Sequence, residues 1–348
     1  MKLSSFKLNL PPQCIAKYPP KYREQAKLMV VHKNKGKIEH LQFTDIVNFF
    51  KKDDAIVLND SKVFSSKLYG HKEKSGALIE TFLLRELDPN IHLWDTIINP
   101  ARKIRVGNKL YFEAHELVAE VVDNTTSRGR TIKFFFEGDN QALYKVLNQI
   151  GHPPLPDILQ RNAEPLDKER YQSVYAENLG STLVPDGSLY FTPYMLKLLE
   201  FKDIILPKIT LHSSINTLNP LLIQDLSRHT LHSEYFQITD HAAEMINTAK
   251  AKNRKLCAVG TPTLKALEAS KIGEKTIKST KQWTNKFIYP PYKFQIVDAL
   301  LTNFHLPDTV PFINSIAFGG DELIMEAYRT AIDKKYQFFV YGDALLII

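Results

Sequence analysis

The chain has 348 residues, 44% hydrophobic and 24% charged, with a formal net charge of +7. That length suffices for two domains, and the balance is that of a soluble globular protein, not of a disordered or fibrous chain. No apolar run approaches the ~18 residues that span a bilayer, and only two cysteines, Cys14 and Cys257, are present, which excludes a disulfide framework and a cysteine-based zinc site.

Residues 1–25 are Pro-rich and read as an extended arm; the start, MKLSSFKLNLPP, lacks the apolar core of a signal peptide, so a cytoplasmic protein is expected. Lys27 to His32 reads as a strand, Asn34-Lys35-Gly36 as a turn and Lys37 to Leu41 as the partner strand. Thr44 is expected to cap a short helix through Phe50. Ala55 to Leu58 is a short apolar strand that ends in Asn59-Asp60-Ser61.

From Leu68 to Phe136 the texture changes. Ala77–Leu84, His92–Ile98, Lys109–Phe112, Leu117–Val122 and Thr131–Phe136 alternate in character, with turn signals at 88–90, 106–108 and 127–129. Strands at this spacing with no helical pattern between them predict a small antiparallel β-barrel. Asp139 then caps a helix over Gln141–Ile150 that stops at Gly151. The predicted organisation is a layered α/β main domain, residues 1–67 and 151–348, interrupted by a barrel domain at 68–150.

After the Pro-rich GHPPLPDILQR, helix and strand signals alternate. Helices are predicted over Pro193–Glu200, Leu221–Ser227, from Asp240 to Lys252, from Pro262 to Ser270 and over Asp321–Ile332. Strands are predicted over Ile204–His212, Glu234–Ile238, Lys255–Val259 and Gln337–Tyr341. Such alternation argues a sheet layered with helices.

The charge is unevenly spread. Residues 1–75 carry 15 Lys/Arg against 7 Asp/Glu, and residues 250–286 carry 10 against 2. Two basic regions on an otherwise acidic chain suit an anionic partner, nucleic acid first, although a solvated lysine face has the same composition. There is no Walker loop, no GxGxxG after a strand, no GxSxG elbow and no HExxH, which removes the common nucleotide, hydrolase and zinc-protease readings. The histidines do not fall into metal-ligand spacing, so no metal is expected.

What remains is a set of polar and aromatic clusters near predicted strand ends. The densest is Ile288–Pro307, IYPPYKFQIVDALLTNFHLP, with Tyr289, Asp298, Thr302, Asn303, Phe304 and His305. A core needs the apolar members of that set, but not the acid, amide and imidazole, each of which must find a partner if buried. The others are Arg161, Tyr171-Gln172 with Tyr175, Asp186 with Tyr190, His212, Glu234, Thr261, and Tyr341 to Asp343.

These segments, in their order and spacing, resemble one family, the S-adenosylmethionine:tRNA ribosyltransferase-isomerases of the queuosine pathway. The likeness runs nearly end to end, through LPPQCIAKYPPKYRE, DAIVLNDSKVFSSKLYG, GHPPLPDILQR, YQSVYAENLGS, LHSEYF, CAVGT, FIYPPYKF, TNFHLP and YGDALLI. It implies an α/β body with an inserted barrel. It also implies an enzyme that moves the ribosyl group of S-adenosylmethionine, not its methyl, onto an aminomethyl-deazaguanine base at the tRNA wobble position and rearranges it to epoxyqueuosine. Adenine and methionine leave. S-adenosylmethionine is then a co-substrate, the tRNA anticodon loop the partner, and no further cofactor or metal is needed.

With that chemistry, His212, Asp298, His305 and Asp343 are the candidates for proton transfer, a role worth ~10²–10⁴-fold for each group. Arg161, Tyr171, Gln172, Tyr175, Asp186, Tyr190, Glu234, Thr261, Tyr289, Thr302, Asn303 and Tyr341 are the candidates for binding substrate. The reading requires His305, Asp298 and Tyr171 to face one cleft.

The sequence also departs from the family pattern. A loop that normally reads like APTAGLHFT is VPDGSLYFT here, which puts Asp186 and Tyr190 in new places and removes a histidine. Ser213-Ser214-Ile215-Asn216 replaces a glycine-bearing run, Pro291 a small residue, and Asp308-Thr309-Val310-Pro311 the run after TNFHLP. Lys27, Lys67, Lys265 and Gln337 stand where the family has arginine. A diverged paralogue that binds RNA, or uses another acceptor, is the alternative.

Overall fold

The computed structural model describes residues 1–113, 117–126 and 128–348; Ser127 of the expected turn at 127–129 lies outside the described residues. The chain opens with short 3-10 turns whose Leu3 and Phe6 are buried. Strands β1 (Lys27–His32) and β2 (Lys37–Gln42) form the expected hairpin, followed by β3 (Ala55–Asn59) and β4 (Ser61–Val63). The next six strands are β5 (Lys67–Lys72), β6 (Leu78–Asp88), β7 (Leu93–Asn99), β8 (Lys109–Phe112), β9 (Leu117–Asn124) and β10 (Gly129–Phe135). They close an antiparallel barrel in the order β10-β7-β6-β5-β8-β9. Helix α1 (Asn140–Ile150) plugs one end, with Leu143, Tyr144 and Leu147 in the barrel core and the Asp139 carboxylate accepting from the Ala142 N–H.

The chain returns through α2 (Asp167–Arg170), β11 (Asn178–Ser181), α3 (Pro193–Phe201), β12 (Lys208–Leu211), β13 (Glu234–Ile238), α4 (Asp240–Ala251), β14 (Leu256–Val259) and α5 (Thr261–Ala269). A small pair, β15 (Lys271–Ile272) and β16 (Thr276–Ile277), precedes β17 (Thr280–Thr284), β18 (Ala299–Asn303), α6 (Val310–Gly319), α7 (Asp321–Asp333) and β19 (Ala344–Ile347). A nine-stranded sheet runs β17-β13-β12-β3-β14-β18-β19-β1-β2.

Its central strands β3, β14, β18 and β19 are buried along their whole length. That fits a sheet covered on both faces. Alternate residues divide between two cores: Val57, Ala258 and Leu300 face Ile246, Leu264 and Ile313 of α4, α5 and α6, whereas Leu58, Val259 and Leu301 face Met195 and Leu199 of α3. Strands β12, β3, β14 and β18 are mutually parallel. Their carboxyl ends therefore lie along one edge, where Asn59, His212, Gly260-Thr261 and Asn303 emerge.

Some expected elements differ. Gln337–Tyr341 is not a strand: Phe339 has φ 78°, and the aromatic run is divided between sites, with Phe338 against Phe304 and Tyr341 against Tyr171. The real last strand, β19, pairs with β18 and β1. Pro207 precedes β12 and the strand expected from Ile204 shortens to four residues. Thr239 caps α4, the helix expected from Asp240, and in place of the helix expected over 221–227 there is a 3-10 turn from Leu226 to Arg228. The helix expected after Thr44 is a 3-10 turn over Phe43–Asn48, and α6 was not anticipated.

Candidate active site

At the carboxyl edge of the sheet, Asp186 collects donors from three directions. The Thr261 N–H, at the first turn of α5, reaches its two carboxylate oxygens at 3.1 and 3.0 Å, and the Thr261 hydroxyl adds a third bond at 3.2 Å. The Thr302 hydroxyl, near the end of β18, also donates to Asp186. His305 Nε2 lies 2.6 Å from that hydroxyl and 3.3 Å from the carboxylate. Burial on its own would raise the Asp186 carboxyl, but hydrogen bonds from His305, Thr302 and Thr261 outweigh it and hold the carboxyl below its ordinary value.

Two glycines allow this approach. Gly260 has φ 93°, and a Cβ there would come within 2.6 Å of the Asp186 carbonyl oxygen; Gly187, at φ 73°, donates its N–H to Asn303 Oδ1 at 2.6 Å. Asn303 in turn donates to the Phe339 carbonyl at 2.8 Å, which ties the loop at 339 to the strand end.

Beside this group, Glu234 at the start of β13 pairs with Lys265 of α5, both buried, and accepts the Ser214 N–H at 3.2 Å. A cavity of about 30 Å³ lies between Asp186, His305, Glu234 and Lys265, roofed by the 3-10 turn Ile215–Leu218. Glu234 also belongs to the wall of a larger cleft, about 380 Å³, between the barrel and the body. Arg85 and Glu86 line it from β6, and His212, Tyr235 and Trp283 from the body. The His212 and Tyr235 rings are stacked at 6.0 Å, and Tyr235 meets Trp283 edge to face at 5.8 Å. His212 Nδ1 lies 2.7 Å from the Ser61 hydroxyl, and burial pushes the imidazole down to about 4, so it is neutral at physiological pH. A third hollow, about 590 Å³, opens on the far side of the Ile215–Leu218 turn, between Lys67, Arg128 and Pro307.

Asp186, Glu234, Thr261, Thr302, Asn303 and His305 thus converge, and His212 stands in the adjoining cleft. The other candidates do not join them, and the single cleft expected to be shared by His305, Asp298 and Tyr171 does not form: of the three only His305 lines the cavity, so the chemistry rests on the converging group alone. Asp298 sits at the opposite end of β18 from His305, where it holds Lys250 at 3.0 and 2.8 Å and caps the Leu256 N–H; a strand's length separates acid and imidazole. Asp343 accepts the Lys27 and Gln337 N–H groups, each at 2.7 Å, and latches the last loop to β1. Burial raises its carboxyl above the ordinary value.

Arg161 makes a two-pronged ion pair with Asp167, at 2.7 Å in each bond, to which the Tyr341 hydroxyl adds a donor at 2.9 Å. Tyr171 is buried edge-on against Tyr341, and Gln172 exchanges hydrogen bonds with the Val63 backbone. Tyr175 and Tyr190 face the core: Tyr190 packs at 4.9 Å on Phe43 and leaves the cavity clear. Tyr289 meets Phe287 in a tilted ring contact at 5.0 Å and lines none of these cavities. Lys265, Ser213 and Asn314 line the cavity without having been singled out as binding groups. For Asn314 the signal was available, as a lone amide in the apolar run VPFINSIAFGG. Among the described residues no His, Cys, Asp and Glu cluster is arranged to hold a metal ion, and no helix is long and apolar enough to cross a membrane.

Comparison with known proteins agrees with this architecture. A family model described as "Queuosine biosynthesis protein" matches residues 3–347. Proteins named S-adenosylmethionine:tRNA ribosyltransferase-isomerase from Amoebophilus asiaticus and Cytophaga hutchinsonii are 53% and 47% identical over 348 residues, covering 100% of both chains in each case. The crystal structure of an S-adenosylmethionine tRNA ribosyltransferase from Thermotoga maritima covers 99% of each chain at 28% identity, with a TM-score of 0.55. The chain belongs to the queuosine biosynthesis protein family.

Proposed function

We propose that this protein transfers and isomerises the ribosyl group of S-adenosylmethionine onto the aminomethyl-deazaguanine at the wobble position of tRNA, forming epoxyqueuosine and releasing adenine and methionine. The observation that carries the reading is the Asp186–Thr302–His305 group at the carboxyl edge of the sheet, beside a cleft walled by aromatic rings. Thr302 donates to Asp186, so the hydrogen of His305 Nε2 is turned toward that pair and Nδ1 keeps the lone pair. A base so oriented can take a proton from the ribosyl carbon attached to sulfur, where the sulfonium makes it acidic.

The His212–Tyr235–Trp283 rings suit a flat base, worth roughly 1–3 kcal/mol per stacked base. Lys278 and Lys281 stand exposed on and beside β17, the outermost strand, which also carries Trp283. They suit the phosphates of an anticodon stem-loop approaching the cleft along that edge. A tRNA substrate implies work in the cytoplasm. Residues 68–150 form the inserted domain in this reading, supported by a barrel that closes on itself between Lys67 and Phe135.

The test supplies the purified protein with S-adenosylmethionine and deazaguanine-bearing tRNA and measures free adenine. Stoichiometric adenine release with ribosylated tRNA is expected. Tight tRNA binding with no adenine released would instead identify a binding module.

A further inference from the structure

Helix α6 is buried on nearly every side, and its Asn314 is only 1% exposed. Neither Nδ2 nor Oδ1 of that amide has a hydrogen-bond partner among the described residues. Nearby Ser213, 2% exposed, has an unpartnered hydroxyl, and both residues line the 30 Å³ cavity beneath the Ile215–Leu218 turn. Buried polar atoms are almost always paired, so unpaired ones turned to a common space point to a missing ligand. Val310 and Pro311, one turn before Asn314, line the same space, so the amide belongs to a single cavity-facing stripe of α6.

The chemistry of that ligand follows from what is left unpaired. The charged groups of the cavity already have partners: Asp186 has four hydrogen bonds from three donor groups, and Glu234 has Lys265 and the Ser214 N–H. An added ion would be buried without a free counter-charge. The free valences are those of a neutral amide and a hydroxyl, each able to donate and accept. Their complement is a neutral group that also does both, at two neighbouring oxygens. A cavity of 30 Å³ holds about two oxygen-sized groups, at roughly 10–15 Å³ each.

We propose that this chamber seats a vicinal diol, the ribose 2′,3′-hydroxyls of S-adenosylmethionine, and that Asn314 is the residue that reads it. The inference rests on the ribosyl-transfer reading and deepens it. With the diol between Asn314 and Ser213, the ribose ring lies at the mouth of the chamber beside His305, and Glu234 joins that space to the aromatic cleft. Asn314 is therefore a specificity residue for the sugar that is transferred.

The experiment measures the affinity of the intact protein, with deazaguanine-bearing tRNA present, for S-adenosylmethionine and for its 2′,3′-dideoxy analogue. The unaltered protein is expected to bind the diol form at least tenfold more tightly, and Asn314→Leu to bind the two forms alike. Asn314→Ser, which puts a single hydroxyl in place of the amide, should fall between them and serves if the leucine variant does not fold. Equal affinities in the unaltered protein overturn the inference, as does a variant that weakens both ligands by the same factor. Failure to bind either ligand in the unaltered protein overturns the ribosyl-transfer reading itself.

Discussion

His305 and Asp186 meet across Thr302, with the imidazole Nε2 3.3 Å from the carboxylate and the threonine hydroxyl in contact with both. The carboxylate is anchored by the start of α5 and the imidazole by the end of β18, so neither side chain needs to be ordered when substrate arrives. A preset pair of this kind is what a general base requires.

His305→Gln keeps a hydrogen-bonding side chain and removes the titratable nitrogen. Turnover measured by adenine release should fall ~10²–10⁴-fold with KM for S-adenosylmethionine little changed. A variant that retains more than a tenth of the turnover would remove His305 from the proton transfer.

Asp298→Asn should leave turnover as it is and lower stability. Its partner Lys250 is buried, so breaking the pair is costly; but Asp298 is 43% exposed, and solvent screening reduces the effect to about 1–2 kcal/mol. Urea unfolding together with the adenine assay separates the two effects.

Glu234→Gln leaves the Lys265 ammonium buried without its counter-ion, which costs about 3–5 kcal/mol for a sealed pair. The double variant Glu234→Gln with Lys265→Met should recover a large part of that loss. Chemical denaturation of the two single variants and the double variant closes the cycle.

His212 gives a pH signature in stability. Its folded value of about 4 lies below the ordinary 6.5, so the unfolded chain binds the extra proton between those limits and stability falls as pH is lowered from 6.5 to 4. The full effect is about 3 kcal/mol at 1.36 kcal/mol per pH unit. Thermal unfolding across that window should show a shallower slope for His212→Gln.

Lys278 and Lys281 should matter for tRNA and not for S-adenosylmethionine. Changing both to Gln is expected to raise KM for tRNA several-fold at low salt and to flatten its dependence on ionic strength. Titration of tRNA at two salt concentrations checks this.

Much of the architecture was legible because it rests on short-range patterns. Alternation marks β6 to β10, and the interleaving of short apolar strands such as β14 with helical patterns marks a sheet layered with helices. The candidate site was legible only in part. Asp298 and His305 are near in sequence, but the extended β18 between them rises about 3.3 Å per residue and carries them to opposite edges. Tyr175 and Tyr190 sit in polar-looking loops, yet burying their rings outweighs what the hydroxyls would gain at a site. Asp343 reads as a catalytic acid beside a tyrosine and a glycine, whereas its two oxygens are used by the backbone N–H groups of Gln337, six residues before it, and of Lys27, at the other end of the chain, a pairing no local pattern encodes.

The sheet order also bears on how the protein is made. Strands β1 and β2 reach the rest of the sheet only through β19, which lies between β18 and β1. The barrel, contiguous from Lys67 to Phe135, can close while the ribosome is still at work. The first hairpin, synthesised earliest, must wait for Ala344–Ile347 to leave the exit tunnel before it has a neighbour to pair with.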